Sequence, residues 1–341
     1  MSEQSSSTAR RRTWSGLGDV RKMPSEYEIV THDTNYTARK NRDAALEQNP
    51  SSPANLWFLT YRDRSPLRVD DWLGFRDPDE VTYRAYVTAQ SRQETVVAGI
   101  LERYAAADHD RSLATAWRAT LAALFSPLRF PLHGLQMSTA YVGQMAPSSY
   151  ITNCAAFAAA DLLRHVSLVA YRTRELQRAF PDAGFGGNDR ARWEGEAAWQ
   201  GARKAVELAL TSYDWAESFT AVNLVLRPTL DDIWLRQLSE VARDNGDDET
   251  WLLLSNLHLD ALRSRRWSAA LAKYAIERRP ENASVLERWV GIWAPRADEA
   301  AGNLALILAT LPARSRSEVE TQRAARKARS SLLESAGLPI G

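Results

Sequence analysis

Asp161-Leu162-Leu163-Arg164-His165 and Asp260-Ala261-Leu262-Arg263-Ser264 are the stretches on which the reading of this chain turns. They share Asp-x-Leu-Arg and lie about a hundred residues apart. Each falls in a segment whose apolar residues recur at helical spacing. Positions three and four apart share a helix face, so Asp161 and His165 stand together on one side of their helix. The match is short. Its weight comes from what surrounds it.

The first stretch sits in a helix expected from Ser148 or Ser149 to Ala179, which Pro181 and Gly184 end. The second sits in a helical segment at about 249–263, followed by others at about 267–279, 283–293 and 296–310. Pro280, Pro295 and Pro312 separate the last of these. Between the two stretches, a long helical run from about Asp189 to Leu226 stops before Pro228, and another reaches from Thr229 to Asp244. Upstream, Asp77-Pro78-Asp79-Glu80 reads as a helix start: Asp77 as cap, Pro78 in the first position, Glu80 completing a capping box. That helix runs to about Ala107, and Pro127 and Pro131 interrupt the next helical region. No alternating β-branched run calls for a sheet. The expectation is an all-α bundle of long helices over residues 77–341.

Residues 1–76 differ. Ser, Pro and Asn are frequent, as in Asn49-Pro50-Ser51-Ser52-Pro53, and helical periodicity is weak. Yet Trp14, Trp57, Phe58, Tyr61, Trp72 and Phe75 are large apolar groups, and a disordered tail would be poor in aromatics. An extended arm lying on another surface fits both observations. Trp14, Trp57, Phe58, Trp72 and Phe75 are the candidate interface residues. Twelve tryptophans in 341 residues point either to such interfaces or to a large helical core.

Composition excludes several function classes. A net charge of +1 provides no field to hold a nucleic-acid backbone. Arg10-Arg11-Arg12 is not followed by an apolar run, so no signal peptide is expected, and no stretch reads as a membrane span. The one cysteine, Cys154, lies among alanines and reads as a small core residue. The expected compartment is the cytoplasm. Gly184, Gly186 and Gly187 form a helix stop rather than a phosphate loop, for no Lys-Ser/Thr follows. Asn245-Gly246-Asp247-Asp248 is a turn into a helix and lacks calcium-loop spacing. Glu217, in an apolar segment, is expected to pair with an arginine or face solvent.

Many short words, in order, are familiar: Arg12-Thr13-Trp14-Ser15, Asn55-Leu56-Trp57, Ser126-Pro127-Leu128-Arg129, Leu135-Gln136-Met137-Ser138, Gln144-Met145-Ala146-Pro147, Ala170-Tyr171-Arg172-Thr173, Asp214-Trp215-Ala216-Glu217 and Trp267-Ser268-Ala269-Ala270-Leu271. From Arg12 to Leu271 the chain resembles the β subunits of toluene, alkene and isoprene monooxygenase hydroxylases. The resemblance implies a ferritin-like fold and a hydroxylase of α, β and γ chains, two copies of each. It implies a carboxylate-bridged diiron centre in the α chain, with no cofactor in this one. A Rieske-type ferredoxin, a reductase and an effector protein are the further implied components. Together they would use O₂ and NADH-derived electrons to hydroxylate or epoxidise a small hydrocarbon.

The residues support the absence of iron independently. A ferritin-like diiron site needs four carboxylates and two histidines, with two Glu-x-x-His pairs. Three residues before His32, His109, His133, His165 and His258 stand Ile29, Ala106, Phe130, Leu162 and Ser255. No Asp or Glu occurs from Arg111 to Ala160, where a first ligand would be expected. By resemblance, the catalytic chains carry Asp-Glu-x-Arg-His where this chain has its two stretches. Leu162 and Ala261 then replace the glutamates, and Ser264 replaces the second histidine. His165 keeps a ligand's position and reads as a hydrogen-bonded core residue. No catalytic, cofactor or metal residue is expected. Two readings compete with this one: an autonomous diiron oxidase and a helical adaptor unrelated to oxygenases. A metal assay separates the first, and co-purification with an iron-containing chain the second.

Overall fold

The computed structural model describes residues 23–32, 34 and 52–338, and among them there are helices and no strands. Trp14 and Arg10–Arg12 lie outside the described residues. In the arm, helix α1 is Glu26–Thr31 and α2 is Pro53–Phe58. The body begins with α3, Tyr83–Ala106, then α4, Thr115–Thr120, and α5, Arg129–Met145. Helix α6 is Ser149–Ala179. Then come α7, Asp189–Gly195, α8, Ala197–Leu210, α9, Trp215–Phe219, α10, Arg227–Asp231, and α11, Leu238–Asp244. Three long elements close the chain: α12, Asp248–Arg278, α13, Asn282–Thr310, and α14, Glu318–Ser335.

Helix α6 packs on α5 and α12, α8 on α13 and α5, and α12 on α3 and α11. The α8–α13 crossing is tight, because a Cβ added at Gly201 would lie 3.0 Å from the backbone of Ala300. One apolar core runs through all of this. Trp117, Trp199, Trp215 and Trp234 are fully buried in it, and Trp193, Trp267, Trp289 and Trp293 nearly so. Most of the tryptophans therefore serve the core of this chain.

Several boundaries differ from expectation. Asp77 does not cap α3. Thr82 does, its Oγ1 accepting from the Ala85 amide at 3.1 Å. Asp77 instead accepts from the amides of Asp79 and Val81, closing a turn in which Glu80 takes a left-handed φ of 45°. The start signals are real but serve this turn, and the helix begins after it. The expected continuous helix over 189–226 is broken at Glu196, whose backbone is extended, and again at 211–214. There Asp214 caps α9 through the amides of Ala216 and Glu217.

Prolines mislead in the other direction. Helical structure continues from α9 to α11 straight through Pro228, because the π-helical turns Thr220–Leu226 and Asp232–Gln237 flank α10. A widened turn accommodates a missing backbone donor. Pro295 lies inside α13, where burial of Trp289, Trp293, Ala297 and Ala300 outweighs a proline cost of about 3 kcal/mol. Pro127 and Pro131 are likewise absorbed into one helical run from α4 to α5. The expected break between 263 and 267 is absent, since α12 is continuous. Helix α14 was not anticipated; it is held by Thr321, Ala325, Arg329 and Leu332 on one buried face.

The described arm lies on the body. Tyr27 is buried with its ring 5.6 Å from Tyr150, and within the arm Arg76 bonds Glu28. Ser65 donates to Asp214 at 2.9 Å, and Asn282 bonds both the amide and the carbonyl of Arg68. Phe58 and Phe75 sit in this core at 6% and 1% exposure, and Trp72 packs edge-on against Trp215. These three spend most of their apolar surface inside this chain. Trp57 does not, being 38% exposed while its Nε1 donates to the Tyr141 hydroxyl.

Candidate functional site

Where α6 and α12 pass each other, the two Asp-x-Leu-Arg segments meet and their charges pair crosswise. Arg263 of the second binds Asp161 of the first. Arg164 of the first binds Asp260 of the second at 2.8 Å. Gln90, from α3, donates its amide to both carboxylates at 3.0 Å and joins the two pairs. Tyr86, one turn earlier on α3, donates to Asp161 at 3.0 Å and stacks on Phe157. Helix α3 thus presents Tyr86, Gln90 and Gln93 to the crossing, at helical spacing along one face. Gln93 accepts from Asn256, whose own oxygen accepts from Arg164.

Burial of Asp161 and Asp260 raises the cost of their charge, and the neighbours decide the outcome. For Asp260, burial pushes the pKa up. The His165 bond at 3.3 Å and the nearby charges of His165 and Arg164 outweigh that and bring it down to about 2. For Asp161, burial and the negative charge of Asp260 raise it above the ordinary value, against Arg263.

The positions that the resemblance sets against iron ligands carry other side chains. Leu162 and Ala261 are fully buried apolar side chains. Ser264 accepts from Arg227 Nη1 at 2.6 Å. His165 is fully buried, bonds Asp260 through Nε2, and leaves Nδ1 without a partner among the described residues. Among the described residues no group of three or more His, Cys, Asp or Glu side chains could hold a metal ion. The donor set does not fit a diiron centre: both carboxylates are committed to guanidinium groups, and the glutamate positions carry no oxygen. A small cavity of about 10 Å³ lies beside the crossing, lined by Asp77, Cys154, Asp161, Arg263, Ser264 and Trp267. That is space for about one water molecule and no more.

A second buried polar cluster sits at the N-terminus of α12. Arg172 reaches Asp110 and Glu175, and lies 3.0 Å from Glu249. Asp247 caps α12 through Thr250 and accepts from Trp117 at 2.7 Å, with His109 at 3.3 Å. Burial drives Glu249 up to about 7 in spite of Arg172, helped by the charges of Asp110 and Asp247. Burial also works to raise Asp247, but the bonds from His109, Trp117 and Thr250 leave it below its ordinary value.

The other singled-out residues fall as follows. Glu217 accepts from Trp293 Nε1 at 3.3 Å rather than from an arginine. Gly184 and Gly186 adopt φ of 79° and 73° after α6, as a helix stop requires. Cys154 is buried, and burial raises its thiol pKa. Helix α6 is long and apolar enough to cross a membrane, yet 56% of its most apolar stretch is buried, and it carries Asp161 and Arg164. Gln90 and Arg227 were missed in the sequence. Arg227 left a signal, a lone charge between Val222 and Leu230 in an otherwise uncharged run.

Comparison with known proteins agrees with this architecture. Residues 57–279 match the family model described as methane/phenol/alkene hydroxylase. The hydroxylase component subunit beta of the toluene-4-monooxygenase system of Ectopseudomonas mendocina is 44% identical over 290 residues, covering 85% of this chain and 88% of that one. An oxygenase component of phenol 2-monooxygenase from Pseudomonas sp. strain CF600 is 26% identical, over 70% of this chain and 71% of that one. A chain in the solved structure of toluene 4-monooxygenase with toluene in its resting active site superposes with a TM-score of 0.83 at 42% identity, over 88% of this chain and 98% of that chain. The helical body, the crossed segments and these matches together place the chain in the methane/phenol/alkene hydroxylase family.

Proposed function

We propose that this chain is the structural, non-catalytic β subunit of the hydroxylase in a multicomponent diiron monooxygenase acting on a small hydrocarbon, aromatic or alkene. One observation carries the reading. In a chain 44% identical to a toluene monooxygenase β subunit, the crossing of α6 and α12 is filled by arginine–aspartate pairs and apolar side chains where iron ligands would stand. The iron, and with it the activation of O₂, belongs on this reading to a partner α chain of the same fold. This chain supplies a rigid helical body against which that partner is held. A γ chain, two copies of each subunit, and a ferredoxin, reductase and effector complete the proposed system, which works in the cytoplasm.

Residues 1–76 form the proposed arm and 77–341 the proposed body. The described end of the arm still offers a partner an exposed patch of Leu56, Trp57 and Tyr213, with Tyr61 beneath. Trp57 and Trp14 are its proposed anchors on the α chain, while Phe58, Trp72 and Phe75 pack within this chain.

Co-expression with the neighbouring hydroxylase genes tests this. A tag on this chain should recover an iron-containing α chain, and deletion of residues 1–22 should weaken that association with the helical circular dichroism unchanged. Truncation of an interface aromatic typically costs about 2 kcal/mol or more, so Trp57→Ala should raise the α–β dissociation constant by about 30-fold. Recovery of this chain alone, or association indifferent to both changes, would contradict the proposal.

A further inference from the structure

We infer that Arg227 is a built-in cation that keeps metal out of the second half of the crossing. This inference rests on the proposed role of the chain as the iron-free subunit, and adds a cause to it.

Lost ligands alone would leave a polar gap. Here the gap is filled by charge. Arg227 opens α10 directly after the π-helical turn Thr220–Leu226 and is 2% exposed. Its Nη1 donates to Ser264 Oγ at 2.6 Å, and Ser264 is the position that the resemblance sets against the histidine of a second Asp-Glu-x-Arg-His segment. Its Nε lies 3.4 Å from Asp231, and Nη2 has no hydrogen-bond partner among the described residues. Asp231 is itself shared, accepting from Trp234 Nε1 at 3.0 Å. Asp231 is thus its one ion-pair partner among the described residues, and neither Nε nor Nη2 makes a hydrogen bond there. A buried lysine could lose its proton to a metal's field, but an arginine cannot, so its charge is permanent. Repulsion between that charge and a divalent ion is strong where the medium is poorly polarisable.

Arg164 and Arg263 do not carry this role. The Asp-Glu-x-Arg-His pattern that the resemblance implies for the catalytic chains keeps an arginine at both positions, so on that pattern those arginines coexist with iron. Each is also held by a buried aspartate of the opposite segment. Arg227 is the additional charge, and it touches the position where a ligand was exchanged.

The test restores a half-site and varies only the arginine. In the full chain, Ala261→Glu with Ser264→His recreates one Glu-x-x-His pair. With Arg227 intact, this variant should bind Co²⁺ no more tightly than the unaltered chain, by equilibrium dialysis and by the visible absorption of bound cobalt. Adding Arg227→Gln should tighten binding by about 10- to 100-fold. Equal affinity with and without Arg227→Gln, whether tight or absent, would overturn the inference. Circular dichroism verifies that each variant is folded. If the glutamate disturbs packing, Ser264→His alone serves. The introduced imidazole should titrate at lower pH with Arg227 present than with Arg227→Gln, read by NMR, and identical titration would overturn the inference. Stoichiometric iron in the unaltered chain is a different outcome. It would overturn the proposed function itself, and this inference with it.

Discussion

Helices α6 and α12 bury two sets of charges, and the sets are built on opposite plans. At the crossing, Asp161 and Asp260 meet Arg263 and Arg164, so carboxylates and guanidinium groups balance one for one, with Gln90 tying the pairs together. At the start of α12, Asp110, Glu175, Asp247 and Glu249 converge on Arg172 and His109, and carboxylates are in excess. Balance makes the first set a fixed strut, because each charge is held by its opposite. Excess makes the second set responsive to protons, and Glu249 at about 7 is where it responds. The two sets lie about three turns apart along α12, one fixed and the other responsive.

Breaking the balance should have the largest effect. Asp161→Ala leaves Arg263 facing a low-polarity interior with its main partner gone. Removing one member of a buried pair costs about 3–5 kcal/mol, so thermal unfolding should show a marked loss of stability. Replacing Asp161 and Arg263 together with apolar residues should cost much less, because no orphan charge remains. A double change as damaging as the single one would show that the crossing is held by packing, with its charges incidental.

Glu249→Gln sharpens the other side of the comparison. A carboxylate raised in the folded state holds its proton more tightly there than in the unfolded chain. Its contribution is fully present below about 4.5 and is lost as pH rises through about 7. The unaltered chain should therefore lose stability between pH 5 and pH 8 relative to Glu249→Gln. Melting temperatures across that range measure it. Asp260→Asn should behave oppositely. A carboxylate lowered to about 2 contributes stability above its ordinary 3.8, which is lost only as pH falls through about 2. Parallel pH profiles for the two variants would remove the distinction between the sites.

The smallest effect is expected away from both sets. Thr82→Ala removes the cap of α3, the helix that presents Tyr86 and Gln90 to the crossing, and should cost about 1 kcal/mol. An unchanged melting temperature would show that Asp77 and the turn it closes suffice to start the helix.

The course of the chain shows what could be read before the structure. The C-terminal end of α6 was legible, since Pro181 and Gly184 follow it and local stereochemistry decides such positions; at its start Ser148 stands at the cap position without a capping hydrogen bond from its hydroxyl. The breaks expected at Pro228 and Pro295 were misplaced, because burial of Trp289 and Trp293 and the widening of a turn are tertiary facts that no local pattern carries. Asp77-Pro78-Asp79-Glu80 had every mark of a helix start and became a turn, since Asp77 is needed by the Asp79 and Val81 amides. At the site, the residue types were legible: Leu162 and Ala261 are apolar and Ser264 is a hydroxyl, so neither segment carries a Glu-x-x-His pair. The groups that gather around them were not. Gln90 lies over seventy residues from Asp161 in sequence, and Ser264, whose hydroxyl Arg227 binds, is on another helix.

The most direct test of the whole account is to count iron per αβ pair in the purified hydroxylase, with protein quantified by amino-acid analysis. A single centre confined to the partner gives about two irons per pair, the number one diiron site holds. About four per pair, with extra iron that remains on this chain when the subunits are separated, would contradict it.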